Sequence, residues 1–339
     1  MAVAEKEQFI QRRKGGIGGT DISAIVGLNP WRNAIDVWLA KLGREERPQQ
    51  SEEMWWGNYF EAGIAKKYVE RTGYTLLAGE RIAQSWTASP ARAWNGMTII
   101  EHATHPFLIA SPDALALHAD LGVEFKLASW KGREWGKEGT DKVPDHYAIQ
   151  CAWYMAITGY AAWDLAVLFN GTHLEIFTIW RNPELERVLI DSAIEFWQKH
   201  VVAGVPPPVD GSLTWARYLA QLYGKCNERV IPSTPEADRI ATLLRDAKIR
   251  MQQAESDMQL AKNQLAALIG ENKGMQGGWG KATWVRPQPG SETDWEALAR
   301  QLLQQYAPDE ARARILEFTR ERPKTPYLKV TFAEREENP

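Results

Sequence analysis

Asp113, Glu124 and Lys126 have the residue types, and a spacing, that phosphodiester hydrolysis can use. Asp113 closes the run Ser111-Pro112-Asp113, and after an interval of eleven positions comes Glu124-Phe125-Lys126. The segment Val123-Glu124-Phe125-Lys126-Leu127 alternates with a period of two, so Val123, Phe125 and Leu127 take one face of a strand and Glu124 and Lys126 the other. Residues 107–117 read as a partner strand and 118–122 as the turn, a hairpin that brings Asp113 near Glu124. Two carboxylates so placed can hold one or two Mg²⁺ ions, hard cations that prefer oxygen ligands. The metal activates a water and neutralises charge on the attacking and leaving oxygens. A lysine ammonium beside it can orient that water or stabilise the transition state. Taken singly each piece is common: Glu-x-Lys is often a solvated strand face, and Ser-Pro-Asp an ordinary turn.

The rest of the chain bounds this reading. At 339 residues it can hold a large core and two structural units. Forty basic against 43 acidic residues give a net charge of −3, which favours no nucleic-acid partner by its sum alone, although a local basic patch is compatible with it. Cys151 and Cys226 are the only cysteines, too few for a disulfide framework, a zinc site or a four-cysteine cluster within one chain. That usage fits a reducing cytoplasm. No signal peptide and no long apolar run is present, so a cytoplasmic protein with no membrane partner is expected. The sixteen tryptophans are spread along the chain and are expected mostly as core or interface anchors.

Elements that must position these residues can be read from caps and periodicity. After a polar start, the basic run Arg12-Arg13-Lys14 leads into a glycine loop, residues 15–21, where Thr20 or Asp21 can cap a short helix over 22–26. Asn33 can cap a helix over 34–42 closed by Gly43. A helix over 52–72, ending at Gly73, has the apolar seam Trp56, Phe60, Ile64 and Tyr68. Strands are expected near 75–85 and 94–101, then the hairpin, then a helix over 144–158 with proline in its first turn. Strands 162–169 and 173–180 form a hairpin across Asn170-Gly171. A helix over 183–202 runs into Gly204-Val205-Pro206-Pro207-Pro208, the expected domain boundary, giving units 1–208 and 209–339. Beyond it a helix over about 235–270 repeats apolar residues in steps of four and three, Ile240, Leu244, Ala247, Met251 and onward, which is a coiled-coil seam. A strand at 281–286, helices near 294–306 and 309–320 and a strand at 327–332 complete a small α/β tail.

Several further residues can join the constellation. Glu61 shares a helix face with Gly57 and Ala65, and a glycine there allows close approach of backbone, metal or phosphate. Gln150 lies one turn from His146 and from Tyr154. The glycine loop, with adjacent cations and a helix start, can favour a phosphate, although it fits neither the P-loop nor the dinucleotide fingerprint.

The motifs Gly16-Ile17-Gly18-Gly19-Thr20-Asp21, Gly27-Leu28-Asn29-Pro30-Trp31 and Trp56-Gly57-Asn58-Tyr59-Phe60-Glu61 occur in order, followed by Ser111-Pro112-Asp113, Glu124-Phe125-Lys126 and Gln150-Cys151-Ala152-Trp153-Tyr154-Met155. Together they resemble the YqaJ-type viral recombinase nucleases, relatives of phage lambda exonuclease, over about residues 8–205. The resemblance implies an α/β (α+β) restriction-endonuclease-like core, a mixed central sheet flanked by helices, here with a C-terminal long-helix extension. It implies a Mg²⁺-dependent exonuclease, with Mn²⁺ able to substitute, that degrades one strand of linear duplex DNA from a 5′ end. The 3′ overhang would serve recombination with a single-strand annealing protein, and a homotrimer around the DNA is expected. By position, Asp113 and Glu124 would be metal ligands with the Phe125 carbonyl a third. Lys126 would orient the water, Glu61 would support a second metal or its water, and Gln150 would position catalytic groups. Arg13, Thr20 and Ser111 match a 5′-phosphate pocket, and Met54 a wedge that splits the terminal base pair. Arg12, Arg13, Lys14, Lys126, Lys131, Arg133 and Lys137 are the expected DNA path, with bound Mg²⁺ offsetting the acidic site. Two alternatives stand beside this reading: a nuclease of other polarity or an endonuclease on the same fold, and a non-catalytic DNA-end-binding factor that works through its coiled coil.

Overall fold

The structure, a computed structural model, describes residues 2–45, 51–94, 96–225, 227, 229–285, 294–306 and 313. It divides into two compact units, Met1–Arg217 and Tyr218–Pro339. In chain order the elements are α1 (Ala2–Lys14), α2 (Gly19–Ile25), α3 (Ala34–Lys41), α4 (Glu52–Thr72), β1 (Leu76–Leu77), α5 (Glu80–Ser85), β2 (Ala91–Trp94), β3 (Met97–Glu101), β4 (Ile109–Ala110), β5 (Ala114–Ala116) and β6 (Leu121–Ala128). They continue with α6 (Asp145–Thr158), β7 (Ala162–Phe169), β8 (His173–Trp180), α7 (Pro183–Phe196), a π-helical stretch Trp197–Val202, α8 (Leu213–Tyr223), α9 (Pro235–Ile269), β9 (Gly274–Gly277), β10 (Gly280–Thr283) and α10 (Trp295–Tyr306).

The main sheet of the first unit has the order β1-β5-β6-β7-β8. Every neighbouring pair is antiparallel except β6 and β7, which run parallel with α6 as their crossover, so the sheet is mixed. This is the mixed sheet flanked by helices expected of a restriction-endonuclease-like core. On one face Val123, Phe125, Ala166 and Leu174 pack against Ile64 and Tyr68 of α4. On the other lies α6, most of which is buried, including Trp153 and Met155 at 0% exposure. A helix over each face is what buries β6 on both sides, and the sheet between two helical layers is the familiar α/β solution.

Local rules explain most boundaries. Ser51 accepts the amide of Met54 to start α4, and Gly73, at φ +74°, ends it in the left-handed region. Asn33 caps α3 in the same way. The β7–β8 turn puts Asn170 at φ 52° and Gly171 at φ +69°, the geometry that Asn-Gly supplies in a two-residue hairpin.

Several expectations are corrected. Residues 107–117 are not one strand: β4 belongs to a separate three-stranded sheet, β2-β3-β4, and β5 to the main sheet. The chain changes sheets at Ser111-Pro112-Asp113, where Pro112 offers no amide to a ladder. Residues 80–85 form α5 rather than a strand. The position before α2 is Gly18, with Asp21 accepting the Gly18 amide from inside the helix, so neither Thr20 nor Asp21 starts it. The tryptophans divide: Trp38, Trp153 and Trp163 are buried, while Trp31, Trp55, Trp56, Trp130 and Trp180 are among those exposed.

In the second unit α9 begins at Thr234, which accepts the amide of Ala237, and ends before Gly270. At 35 residues and ~1.5 Å per residue it is roughly 50 Å long. Its seam residues Ile240, Leu244, Met251 and Met258 are all exposed among the described residues. β9 and β10 form an antiparallel hairpin after it. The expected helix over 309–320, residue 313 apart, and the strand over 327–332 lie outside the described residues. No described helix is long and apolar enough to cross a membrane.

Candidate active site

β6 and the sheet change before β5 build the site. The ladder between β5 and β6 stops at Ala114 opposite Val123. Beyond it Asp113 turns its carboxylate back and Oδ2 accepts the Phe125 amide at 2.8 Å, taking the place of a ladder carbonyl. That bond fixes Asp113 beside Glu124, the next residue inward on β6. Glu124 is 2% exposed. Its Oε1 accepts from Lys126 Nζ and, at 2.6 Å, from Gln150 Nε2 on α6. Gln150 in turn donates to the Tyr154 hydroxyl at 2.9 Å. Glu124 Oε2 is buried without any hydrogen-bond partner. A buried, unpartnered carboxylate oxygen costs a few kcal/mol and calls for an explanation.

The electrostatics match this crowding. Burial, followed by the charge of Asp113, pushes the Glu124 carboxyl up to about 8, against the pull of Lys126. Burial likewise raises Asp113, with Lys126, the Phe125 amide and a hydrogen bond from the Glu124 carboxyl, when that is protonated, opposing it. Burial works against the Lys126 ammonium, but Glu124 and Asp113 outweigh it and hold the lysine above its ordinary range. Glu61 stands on α4 as an exposed residue, yet the crowding of its carboxyl and the Asp113 charge push it up to about 7.

The residues present fit a hard divalent cation. Asp113 and Glu124 offer oxygens within direct interaction of each other, Glu124 Oε2 has nothing else to bind, and Glu61 brings a third carboxylate within electrostatic range. Among the described residues no three His, Cys, Asp or Glu side chains stand at joint coordinating range. A set of oxygens with few ligands is what Mg²⁺ accepts, since it keeps several of its waters.

The other expected residues fall in different places. Arg13 Nη2 donates to Thr20 Oγ1 at 3.4 Å, and the Arg13 charge is felt at Asp113, so this pair borders the carboxylates. Ser111 is half-buried two residues before Asp113. Met54 is 58% exposed in the first turn of α4, beside a cluster in which Trp55 and Tyr59 stack at 5.3 Å. Lys131 is not brought to the carboxylates: it pairs with Glu175 on β8 and lies over the rings of Phe169 and Phe177. Arg133 is exposed. Arg12 is held by Glu101 at 2.9 Å, whereas Arg13, Lys14, Arg133 and Lys137 form no ion pair among the described residues.

Four backbone amides of the glycine loop are engaged within the chain. The amide of Gly15 goes to Gln11 O, Gly16 to Arg13 O, Ile17 to Phe107 O and Gly18 to Asp21 Oδ2. Its glycines serve close packing: a Cβ on Gly16 would lie 2.8 Å from Phe107 O, and one on Gly19 would lie 2.8 Å from Gln150 Cγ. Gly57 faces open space, so nothing among the described residues requires a glycine there. Tyr154, already marked by its one-turn spacing to Gln150, joins the site through that residue, and Asp21 is a buried ion-pair partner of Lys41. Lys41 itself was not singled out and has no local signal, because its contacts are long-range in sequence.

Residues 8–161 match the family model described as the YqaJ-like viral recombinase domain. A Bacillus subtilis (strain 168) protein described as uncharacterized protein YqaJ is 30% identical over 237 residues, 68% of each chain. Among solved structures the chain is similar to an alkaline exonuclease (LHK-Exo) from Laribacter hongkongensis, with 16% identity, 65% of this chain and 100% of that one covered and a TM-score of 0.43. It is also similar to a phage related exonuclease from Haemophilus somnus 129PT, with 12% identity, 56% and 96% covered and a TM-score of 0.38.

Proposed function

We infer the function from the chain's family: it belongs to the YqaJ-like viral recombinases. In that light the site is that of a Mg²⁺-dependent nuclease, a 5′-to-3′ exonuclease on linear double-stranded DNA whose 3′ single-stranded overhangs feed single-strand annealing. The observation that carries the reading is the buried, unpartnered Glu124 Oε2 set against Asp113. A relict site has no reason to keep an orphan carboxylate oxygen beside a second carboxylate and a lysine.

Asp113 and Glu124, with the Phe125 carbonyl, would hold the metal, and Glu61 would support a second ion or its water. When bound, Mg²⁺ supplies an acidified water and charge stabilisation at the phosphate oxygens. The chain's own residues do the rest. Gln150 and Lys126 engage Glu124 Oε1 and so leave Oε2 for the ion. The Lys126 ammonium stays charged beside the carboxylates, where it can orient the water and stabilise the pentacovalent phosphate. Arg13, Thr20 and Ser111 seat a terminal 5′-phosphate, and Met54 parts the end base pair. Arg13, Lys14, Arg133 and Lys137 are the cations best placed to meet the DNA backbone, because Arg12 and Lys131 are occupied by carboxylates. A homotrimer and an annealing protein are the partners proposed.

The test uses linear duplex labelled at the 5′ or the 3′ end, with wild type and Asp113→Ala, in Mg²⁺, Mn²⁺ and EDTA. Metal-dependent loss of the 5′-ended strand, reduced by at least ~10³-fold in the variant, is expected. Cleavage that survives the substitution moves the site elsewhere. Loss from the 3′ end reverses the polarity, and binding without cleavage leaves an end-binding factor.

A further inference from the structure

Behind Arg13 and Thr20 lies a buried ionic cluster that the proposed chemistry does not use. Asp21, 6% exposed, has both oxygens engaged. Oδ2 accepts from the Gly18 amide at 3.0 Å and from Lys41 Nζ at 2.7 Å, and Oδ1 accepts from Arg32 Nη1 at 3.2 Å. The Lys41 side chain is itself only 5% exposed. Its ammonium makes a second bond, donating to the Arg13 carbonyl at 3.0 Å, which the Gly16 amide also reaches at 3.3 Å. One ammonium therefore joins the last residue of α3, the first turn of α2 and the last turn of α1. Arg13 hangs from the carbonyl it holds, and Thr20 is the residue before the carboxylate it pairs with.

Stability alone does not call for such a pair. A buried ion pair loses in desolvation about what it gains in attraction, and apolar replacements are often neutral or better. What the pair fixes is the separation of Arg13 from Thr20, since each is attached to one of its ends. The charge count points the same way: Arg32 and Lys41 pair with Asp21, Arg13 acts on it electrostatically, and Glu45, paired with Arg32 at 4.0 Å, is the second carboxylate, so three cations face two anions. The surplus positive charge sits where Arg13 opens to solvent.

We propose that Asp21 and Lys41 are positioning residues that set the Arg13–Thr20 seat and thereby the preference for a 5′-phosphorylated strand end, without touching the substrate. This rests on the reading that the seat takes a terminal phosphate.

The experiment measures kcat/KM on one linear duplex carrying either a 5′-phosphate or a 5′-hydroxyl, in Mg²⁺, for wild type, Lys41→Met, Asp21→Asn, Arg13→Gln and the Lys41→Met/Arg13→Gln pair. Each ratio of phosphate to hydroxyl is internal to one preparation, so a loss of folded protein cancels. Wild type is expected to favour the phosphate by roughly tenfold or more, as a charge-assisted contact does. Lys41→Met and Asp21→Asn should bring the ratio close to one, mainly through KM for the phosphorylated end. The pair should fall no further than Arg13→Gln alone. A wild type without preference overturns the phosphate-seat reading itself. A wild type with the preference and a Lys41→Met that keeps it overturns this proposal while leaving that reading intact. Should Lys41→Met fail to fold, Lys41→Arg carries the test: it keeps the charge but moves the donors, and a ratio equal to that of wild type overturns the proposal.

Discussion

At the scale of single residues, Glu124 is held in a form that is not its most comfortable one. Its carboxyl is shifted from the ordinary 4.5 to about 8, so the metal-free folded protein keeps a proton that the unfolded chain gives up near 4.5. The folded state then binds more protons than the unfolded state between those values, and unfolding free energy must fall as pH rises through that window. Lys126, raised in the folded state, stays charged throughout and does not alter the sign. Thermal unfolding in EDTA is therefore expected to move to lower temperature between about pH 5.5 and pH 8.5, and Mg²⁺ should restore stability most at the upper end by replacing the proton. Glu124→Gln should make the EDTA profile shallower, with Glu61 and Asp113, also raised, supplying what slope remains. A wild-type profile already flat in EDTA removes the proposed strain from Glu124.

At the scale of elements, the site depends on how closely α2 approaches α6. Gly19 has room for no side chain, since a Cβ would meet Gln150 Cγ at 2.8 Å and Tyr154 Cε1 at 3.0 Å. Gly19→Ala should cost about 1–3 kcal/mol in denaturant unfolding. It should also lower cleavage by about tenfold, because the displaced side chain is the one that donates to Glu124. Cleavage and stability both unchanged would mean that α2 yields freely. Gly57→Ala, facing open space within α4, is expected instead to gain about 0.5–1 kcal/mol. How far these elements could be read beforehand follows from what specifies them. The ends of α4 and the Asn170-Gly171 hairpin were legible because caps and turns act within a few residues. The strand that carries Glu124 and Lys126 was legible because its period of two is sharp. The sheet change at Pro112 was not, since the apolar run through 107–117 looks the same whether one sheet or two receives it. α5 was missed for a related reason: six residues carry too little periodicity to separate a turn of helix from a strand. Lys41 was missed because its partner Asp21 is remote in sequence.

At the scale of the whole molecule, every residue of the proposed metal and phosphate sites lies within the first unit, while the second unit exposes the seam of α9. A chain ending at Arg217 is therefore expected to keep metal-dependent cleavage of linear duplex. The exposed seam is expected to be covered by a neighbouring subunit or by the chain's own tail. Light scattering of the full chain and of Leu244→Lys/Met251→Lys distinguishes these. A lower mass in the variant assigns the seam to assembly, and an unchanged mass with lower stability assigns it to the tail. The acidic total charge needs no special account if the Mg²⁺ ions and the unpaired cations of the first unit meet the DNA locally.

The bond from the Phe125 amide to Asp113 has one more use. An amide proton held by a carboxylate feels its charge directly, and Phe125 thereby becomes a gauge wired into the backbone. Its resonance should shift when Asp113 loses its proton and shift again when a cation draws the carboxylate's electrons the other way. A selectively ¹⁵N-phenylalanine-labelled sample titrated with Mg²⁺ could thus read the loading of the centre with no DNA in the tube and no bond cut.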